Sequence, residues 1–278
     1  MGRATYVHMN RLDLDAYFQR IGYQGSTEPT AETLRALHLA HVLTFPFENL
    51  DPWHGRPVPL GLPELEAKLV HRQRGGYCFE GNTLFAAVLR ELGYQVTPLI
   101  ARVRWMRPPE VETPRTHMLL RVDLDGTAWI ADVGFGAVGQ TVPLKLEMDV
   151  VQQTPHEPRR YRMDNGIATH QIQIGPDRWE DVYCFDLYEA VPMDFEVANW
   201  FVSTHPESLF RQTLFVTLPR HDHRLILVFG EFTRRYLDGR VEKRPVVDDE
   251  DLRRLLIHEF GLPADDPLVA GATLRPVA

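Results

Sequence analysis

The sequence predicts an α+β protein with a helical first third, an antiparallel β middle and an α/β last portion. Three observations carry that prediction. Apolar residues recur at helical spacing as far as Gly93. Strand-like stretches separated by Pro-rich or Gly-containing turns then crowd into about ninety residues, a density that suggests a small barrel or sandwich. Beyond them, strand-like stretches and a capped helix occur together.

In the first helix Leu14, Tyr17, Phe18 and Ile21 form one apolar stripe, and Gly22 sits where the chain can turn left-handed and stop. Thr30 has the side-chain oxygen to cap a second helix carrying Leu34, Leu37, His38 and His41. Pro63 suits the first turn of a third helix with Leu65, Leu69 and Val70, because its missing N–H is not needed there. A fourth helix runs from Cys78 through Phe85, Val88, Leu89 and Leu92 to Gly93.

The stretches Gln95 to Trp105, Thr116 to Leu124, Thr127 to Val133, Arg159 to Asp164, Ile167 to Ile174 and Trp179 to Phe185 have strand composition. Asp125-Gly126 and Asn165-Gly166 are hairpin signals, since the tightest turn needs positive φ at both residues. In the last portion Leu214 to Leu218 and Arg224 to Phe229 are predicted strands. Asp248 caps a helix that continues through Leu252, Leu255, Leu256 and Phe260 to Gly261. Met106 to Pro114 and Thr154 to Pro158 are connections.

At 278 residues and 44% hydrophobic, the chain can bury most of its unfolded surface and hold more than one subdomain. Its apolar runs fall far short of the roughly twenty residues that span a bilayer. Met1 to Tyr6 lack the apolar core of a secretion signal, and Tyr6 stands where a myristoylation signal needs Ser or Thr. A formal charge of -8, with no Lys/Arg cluster free of acidic neighbours, argues against a nucleic-acid partner. Cys78 and Cys184 are too few for a disulfide scaffold. A free reactive thiol survives best in a reducing compartment, so a cytoplasmic location is expected.

The stretch Arg74-Gly75-Gly76-Tyr77-Cys78-Phe79-Glu80-Gly81-Asn82 places Cys78 in or just before the first turn of the fourth helix. There the positive end of the helix dipole favours thiolate over thiol. An isolated thiol, with a pKa near about 8.5, is only a few per cent ionised at neutral pH, so full ionisation raises the reactive fraction roughly thirtyfold. Gly75 and Gly76 permit a sharp, close-packed entry into the helix. A free cysteine is also commonly just a small buried residue, so a nucleophile needs a partner.

The first hairpin supplies one. If Asp125-Gly126 is a two-residue turn, Leu124 pairs with Thr127, Leu119 with Asp132, and His117 with Gly134. His117 and Asp132 then emerge on one face as diagonal neighbours, their Cα atoms about 7 to 8 Å apart, a span one hydrogen bond closes. A one-residue slip would put them on opposite faces. With Asp132 fixing the imidazole, its other nitrogen is free to take the thiol proton. The competing reading is a carboxylate and a histidine that merely stabilise a hairpin.

Gly134-Phe135-Gly136-Ala137-Val138-Gly139 matches the G-x-G-x-x-G pattern of dinucleotide-binding folds and follows a strand. Gln140-Thr141-Val142-Pro143 comes next instead of a helix, so no helix N-terminus is available for a pyrophosphate. These glycines are better explained by close approach of a ligand or another backbone beside Asp132. His38 and His41 share a helical face with leucines and read as packed, while His221 and His223 alternate on a turn or strand. With neither H-E-x-x-H nor C-x-x-C present, no metal site is expected.

These motifs resemble those of the arylamine N-acetyltransferases, whose cysteine lies in an R-G-G-x-C-x-E-x-N pattern matched by Arg74 through Asn82. Pro46-Phe47-Glu48-Asn49-Leu50, Thr116-His117-Met118, Asp132-Val133-Gly134-Phe135-Gly136, and Asn199-Trp200 followed by Thr204-His205-Pro206-Glu207-Ser208-Leu209-Phe210 are also family-like. The resemblance covers roughly residues 10 to 215 and, lacking a long insertion, is of the bacterial type. It implies a helical bundle over 1–93, a β-barrel over 94–203 and an α/β lid over 204–278, around a papain-like or transglutaminase-like cysteine core. It further implies a catalytic triad of Cys78, His117 and Asp132, an amine pocket lined by Phe47 and Phe135, and an approach of coenzyme A to Thr116 and Gly136.

The implied activity is a two-stage, ping-pong acetyl transfer from acetyl coenzyme A to arylamines, arylhydrazines or arylhydroxylamines, of the kind used in xenobiotic metabolism. Acetyl coenzyme A is then a co-substrate, and no cofactor is tightly bound. A cysteine hydrolase or transglutaminase-like amidase would use the same triad and differ only in what attacks the acyl-enzyme. A binding protein that keeps the fold would usually have lost a triad residue, and none is substituted.

Overall fold

The computed structural model describes residues 12–275, so the readings made on Met1 to Tyr6 lie outside the described residues. Helix α1 spans Leu14–Ile21, with the Asp13 side chain accepting the Ala16 N–H and Gly22 closing it at φ +65°. Helix α2, Ala31–Thr44, starts where expected because Thr30 accepts the Thr33 N–H. Strand β1, Phe47–Glu48, and helix α3, Leu50–Trp53, follow. The predicted third helix is one α-turn, α4 (Leu62–Leu65), which widens into a π-helical turn over Glu66–His71. In that turn the Arg72 N–H reaches back five residues to the Ala67 carbonyl. Helix α5, Cys78–Glu91, buries Phe79, Leu84, Phe85, Val88 and Leu89 against Leu34 and Leu37 of α2.

The middle of the chain is one antiparallel sheet of β2 (Gln95–Val103), β3 (Arg115–Leu124), β4 (Thr127–Ala131), β5 (Leu144–Lys145), β6 (Arg159–Asp164), β7 (Ile167–Gly175) and β8 (Arg178–Phe185). Its order is β5-β4-β3-β2-β8-β7-β6. The hairpins turn at Asp125-Gly126 and Asn165-Gly166, all four residues having positive φ, as those dipeptides predict. The sheet curls into a half-barrel, where the sequence suggested a small barrel or sandwich. Gln152 links the two edges: its side chain bonds the Lys145 backbone, and its own backbone pairs with Arg159. Leu99, Leu119, Ile130, Ile172 and Val182 fill the interior.

The last portion differs most from expectation. Helix α6, Pro192–Thr204, was not predicted: Met193, Val197 and Trp200 are exposed while Phe195, Ala198 and Val202 are buried, so apolar residues on two faces hide the helical period. Helix α7 (Leu209–Gln212) follows, then β9 (Phe215–Pro219) and β10 (His223–Val228) close to their predicted places. Strands β11 (Glu231–Tyr236) and β12 (Val241–Pro245) are additional; β12 is almost wholly exposed, so no buried face imposes alternation on it. Helix α8, Asp249–His258, is capped by Asp248 as predicted, and α9, Pro267–Ala270, ends the described fold. These strands form a second antiparallel sheet, β1-β9-β10-β11-β12, against which Leu252, Leu255 and Leu256 of α8 pack. Through β1 it recruits the early segment containing Phe47, which pairs with Thr217.

Candidate active site

The entry into α5 is wedged between neighbouring backbones. Gly76 donates to the Pro46 carbonyl (3.2 Å) and accepts the Glu48 N–H (3.0 Å). A Cβ on Gly75 would stand 2.0 Å from the Pro46 carbonyl oxygen, so only glycine fits. From the other side comes Gly134, whose Cβ would lie 2.5 Å from the Cys78 Cα. Of the glycines after β4, Gly134 therefore serves the approach of another backbone, and no helix follows them. Cys78 is 4% exposed, and its Sγ faces the Thr116 carbonyl at 3.7 Å.

The hairpin register is the one the turn predicts: Leu124 pairs with Thr127 and Leu120 with Ala131. The ladder stops at Ala131, one residue before Asp132. His117 and Asp132 lie on the same side, His117 Nε2 standing 2.8 Å from Asp132 Oδ2, with both residues buried. Asp132 Oδ1 accepts from Asn82 Nδ2 (3.1 Å) and from the Gly134 N–H (3.0 Å). With Nε2 committed to the carboxylate, Nδ1 is left for the thiol, and the Cys78 side chain adds to the imidazole's preference for charge.

Burial by itself would strip the charge from His117, but the Asp132 carboxylate outweighs it, and with Cys78 holds the imidazole up at about 10. Burial likewise pushes Asp132 up, and His117 and the Gly134 and Asn82 donors overcome it, leaving the carboxyl at about 2. The pair is thus an imidazolium and a carboxylate at neutral pH.

Sequence reasoning missed the groups that hold this pair. Asn82 Nδ2 also donates to the Met118 carbonyl (2.8 Å), and its Oδ1 accepts the Val133 N–H (3.0 Å), so α5 is stapled to β3 and to the segment leaving β4. His38 is packed, as its leucine-lined face suggests, yet its Nε2 also accepts the Asp132 N–H (3.2 Å). Burial lowers His38 to about 4 and keeps it neutral for that role. Tyr183 stacks obliquely on His117 at 5.0 Å between ring centroids. Only Asn82 had a signal, its place in the cysteine motif.

A second buried cluster lies under the start of α5. Arg74 bonds Glu48 through two nitrogens (2.6 and 2.9 Å) and reaches Asp51 and Asp266 at 3.1 Å each. Lys68 stands 2.7 Å from both Glu80 and Asp51. Glu80 in turn accepts the Tyr77 N–H at 3.1 Å, and the Tyr77 hydroxyl donates to Asn199. Asn199 also donates to the Val58 carbonyl at 2.8 Å, so α6 too fixes the residue before Cys78.

Phe47 and Phe135, with Phe45, Val133 and Gly136, line a cleft that reaches Asp132. Phe135 meets the His117 ring edge-on at 5.0 Å, and Phe47 meets Phe210 at 5.8 Å. Gly136, at φ +89°, lies against Phe47, where a Cβ would come within 3.3 Å of the ring. Thr116 is half-buried beside the thiol.

A family model described as N-acetyltransferase matches residues 30–269. The arylamine N-acetyltransferase / N-hydroxyarylamine O-acetyltransferase of Salmonella typhimurium is 41% identical over 255 residues, covering 91% of this chain and 90% of the relative. The chain belongs to the arylamine N-acetyltransferase family. The arylamine N-acetyltransferase of Mycobacterium tuberculosis is likewise 41% identical, over 92% of this chain and 91% of its own length. The structure of Mycobacterium marinum arylamine N-acetyltransferase in complex with CoA superposes with a TM-score of 0.87 at 39% identity, covering 90% of this chain and 93% of that one. The protein is therefore an acetyltransferase of this family, as the cysteine motif implied. Among the described residues no helix is long and apolar enough to cross a membrane.

Proposed function

We propose that the protein transfers an acetyl group from acetyl coenzyme A to an arylamine, arylhydrazine or arylhydroxylamine through an acetyl-cysteine on Cys78. The observation that carries this reading is the buried His117–Asp132 pair at 2.8 Å, with the second imidazole nitrogen left for a thiol at a helix start. The Cys78 thiolate attacks the thioester carbonyl, and the coenzyme leaves as a thiolate that takes the His117 proton. His117, now neutral, accepts a proton from the amine as the amine attacks the acetyl-cysteine, and the Cys78 thiolate departs. Backbone N–H groups in the first turn of α5, which lack intrahelical acceptors, serve as oxyanion donors.

In this reading Phe47 and Phe135 hold the acceptor's ring, and Thr116 and Gly136 border the coenzyme. The segments 1–93, 94–203 and 204–278 supply the nucleophile, the His–Asp pair and a lid, in the manner of a papain-like core. The CoA complex of the Mycobacterium marinum enzyme supports the donor. The paired names of the Salmonella typhimurium relative support an acceptor range that includes hydroxyarylamines. A reactive thiol of this kind fits a reducing cytoplasm.

The test is to mix the protein with acetyl coenzyme A and no amine. One acetyl group should appear on Cys78 by intact mass and peptide mapping, and Cys78→Ala should abolish it. A wild-type protein that stays unmodified while cleaving peptide amides would replace transfer by hydrolysis.

A further inference from the structure

We propose that Lys68 is a positioning residue for Cys78, delivered by the π-helical turn into the carboxylate cluster so that it favours the ionised form of Glu80, which clamps the N-terminus of the nucleophile's helix. This rests on the reading of Cys78 as the nucleophile. The π-helical turn brings Lys68 Nζ to a buried site 2.7 Å from Glu80 Oε1 and 2.7 Å from Asp51 Oδ2. The backbone is anchored as well, since the Lys68 carbonyl accepts the Arg74 N–H at 3.1 Å. With Oε1 held by Lys68, Glu80 presents Oε2 to the Tyr77 N–H. Gly76 makes room for that carboxylate, since a Cβ there would lie 2.8 Å from Oε2. The clamp therefore acts on the residue immediately before Cys78.

The charge balance of the cluster makes Lys68 decisive. Glu80 is faced by Lys68 from the π-helical turn, Glu48 from β1 and Asp51 from α3; Arg74 and Asp266 complete the group. Three buried carboxylates, Glu48, Glu80 and Asp266, and the half-buried Asp51 are thus contacted by only Lys68 and Arg74, so one of them is poised to take a proton. Arg74 is engaged by Glu48, Asp51 and Asp266, which leaves Lys68 as the cation that Glu80 contacts. Burial raises Glu80 to about 7 against the pull of Lys68. His117 and Asp132 sit at about 10 and about 2, so near neutrality the clamp titrates while the His–Asp pair keeps its charges. An ionised acceptor makes a hydrogen bond roughly twice as strong as a neutral one, so protonating Glu80 loosens the first turn of α5.

Alkylation of Cys78 by iodoacetamide tests this without acetyl coenzyme A or an amine. Rates are followed by peptide mass mapping across the neutral range, well below each variant's melting temperature. The wild-type rate should fall on acidification with a limb near the Glu80 value of about 7. In Lys68→Met that limb should move up by about one unit or more, and the rate at neutral pH should drop by about fivefold or more. In Glu80→Gln, which cannot ionise, the limb should vanish while Cys78 still reacts. If Lys68→Met does not fold, the Glu80→Gln profile decides alone. A limb that stays near its wild-type position in Glu80→Gln, with only the melting temperature lowered, would reduce the cluster to structural support. A wild-type Cys78 that never reacts would instead overturn the nucleophile reading itself.

Discussion

Gly134 and Cys78 are in backbone contact: a Cβ added to the glycine would stand 2.5 Å from the cysteine's Cα, a separation real Cβ atoms do not adopt. The chain leaving β4 is thereby pressed against the first residue of α5, which is how a strand end and a helix end share one site. Gly134→Ala should separate them. Overpacking of this kind costs about 1–3 kcal/mol, and the thiol should lose its imidazole partner at the same time. Urea denaturation and iodoacetamide labelling of the variant check both halves; native-like values in both would mean the contact is slack.

Asp132→Asn should leave the fold intact, because the amide oxygen still accepts from Asn82 and from the Gly134 N–H. What it removes is the charge that keeps His117 protonated. Acetyl transfer should fall by at least about a hundredfold, in line with the loss of the acid in other triads. Alkylation of Cys78 at neutral pH should slow with it, and unchanged alkylation would remove the carboxylate from the mechanism.

The same pair sets a pH dependence of stability. His117 is raised by folding to about 10, so its contribution is complete below the unfolded value of about 6.5 and is lost as pH rises through about 10. Asp132 is lowered to about 2, so its contribution is present above its unfolded value of about 3.9 and is lost as pH falls through about 2. Melting temperatures measured from neutral to alkaline pH should decline in the wild type and decline less steeply in Asp132→Asn. Parallel curves would mean the pair is not ionic.

Phe47 stands in the cleft with its ring against Phe210, away from the thiol's own hydrogen bonds. Phe47→Leu should therefore raise the KM for an arylamine while leaving the rate of Cys78 acetylation nearly untouched. A lost aromatic contact is worth about 0.5–1.5 kcal/mol, so the rise should be about twofold to thirteenfold. Single-turnover acetylation and steady-state kinetics separate the two steps, and an equal loss in both would move Phe47 from the acceptor to the donor side.

Much of the site was legible because its signals are local. The register that sets His117 beside Asp132 follows from one dipeptide, Asp125-Gly126, whose turn geometry propagates along both strands. The position of Cys78 follows from the apolar period of α5 and the glycines before it. The Lys68–Glu80–Arg74 cluster was not legible. Its partners come from β1, α3, the π-helical turn, the entry to α5 and the cap of α9, and charged residues scattered along a chain read as surface until the fold buries them. Helix α6 was hidden because apolar residues occupy both its buried and its exposed faces.

The chain by itself determined where α1, α2, α5 and α8 begin, where the Asp125-Gly126 and Asn165-Gly166 hairpins turn, and which thiol, imidazole and carboxylate stand ready, because capping, turn chemistry and periodicity act over a few residues. Tertiary structure alone decided that Gly134 touches Cys78, that His38 and Asn82 hold Asp132, and that Lys68 faces Glu80. Those relations join residues far apart in the chain, and they arise only when packing removes the water that would otherwise satisfy each polar group separately.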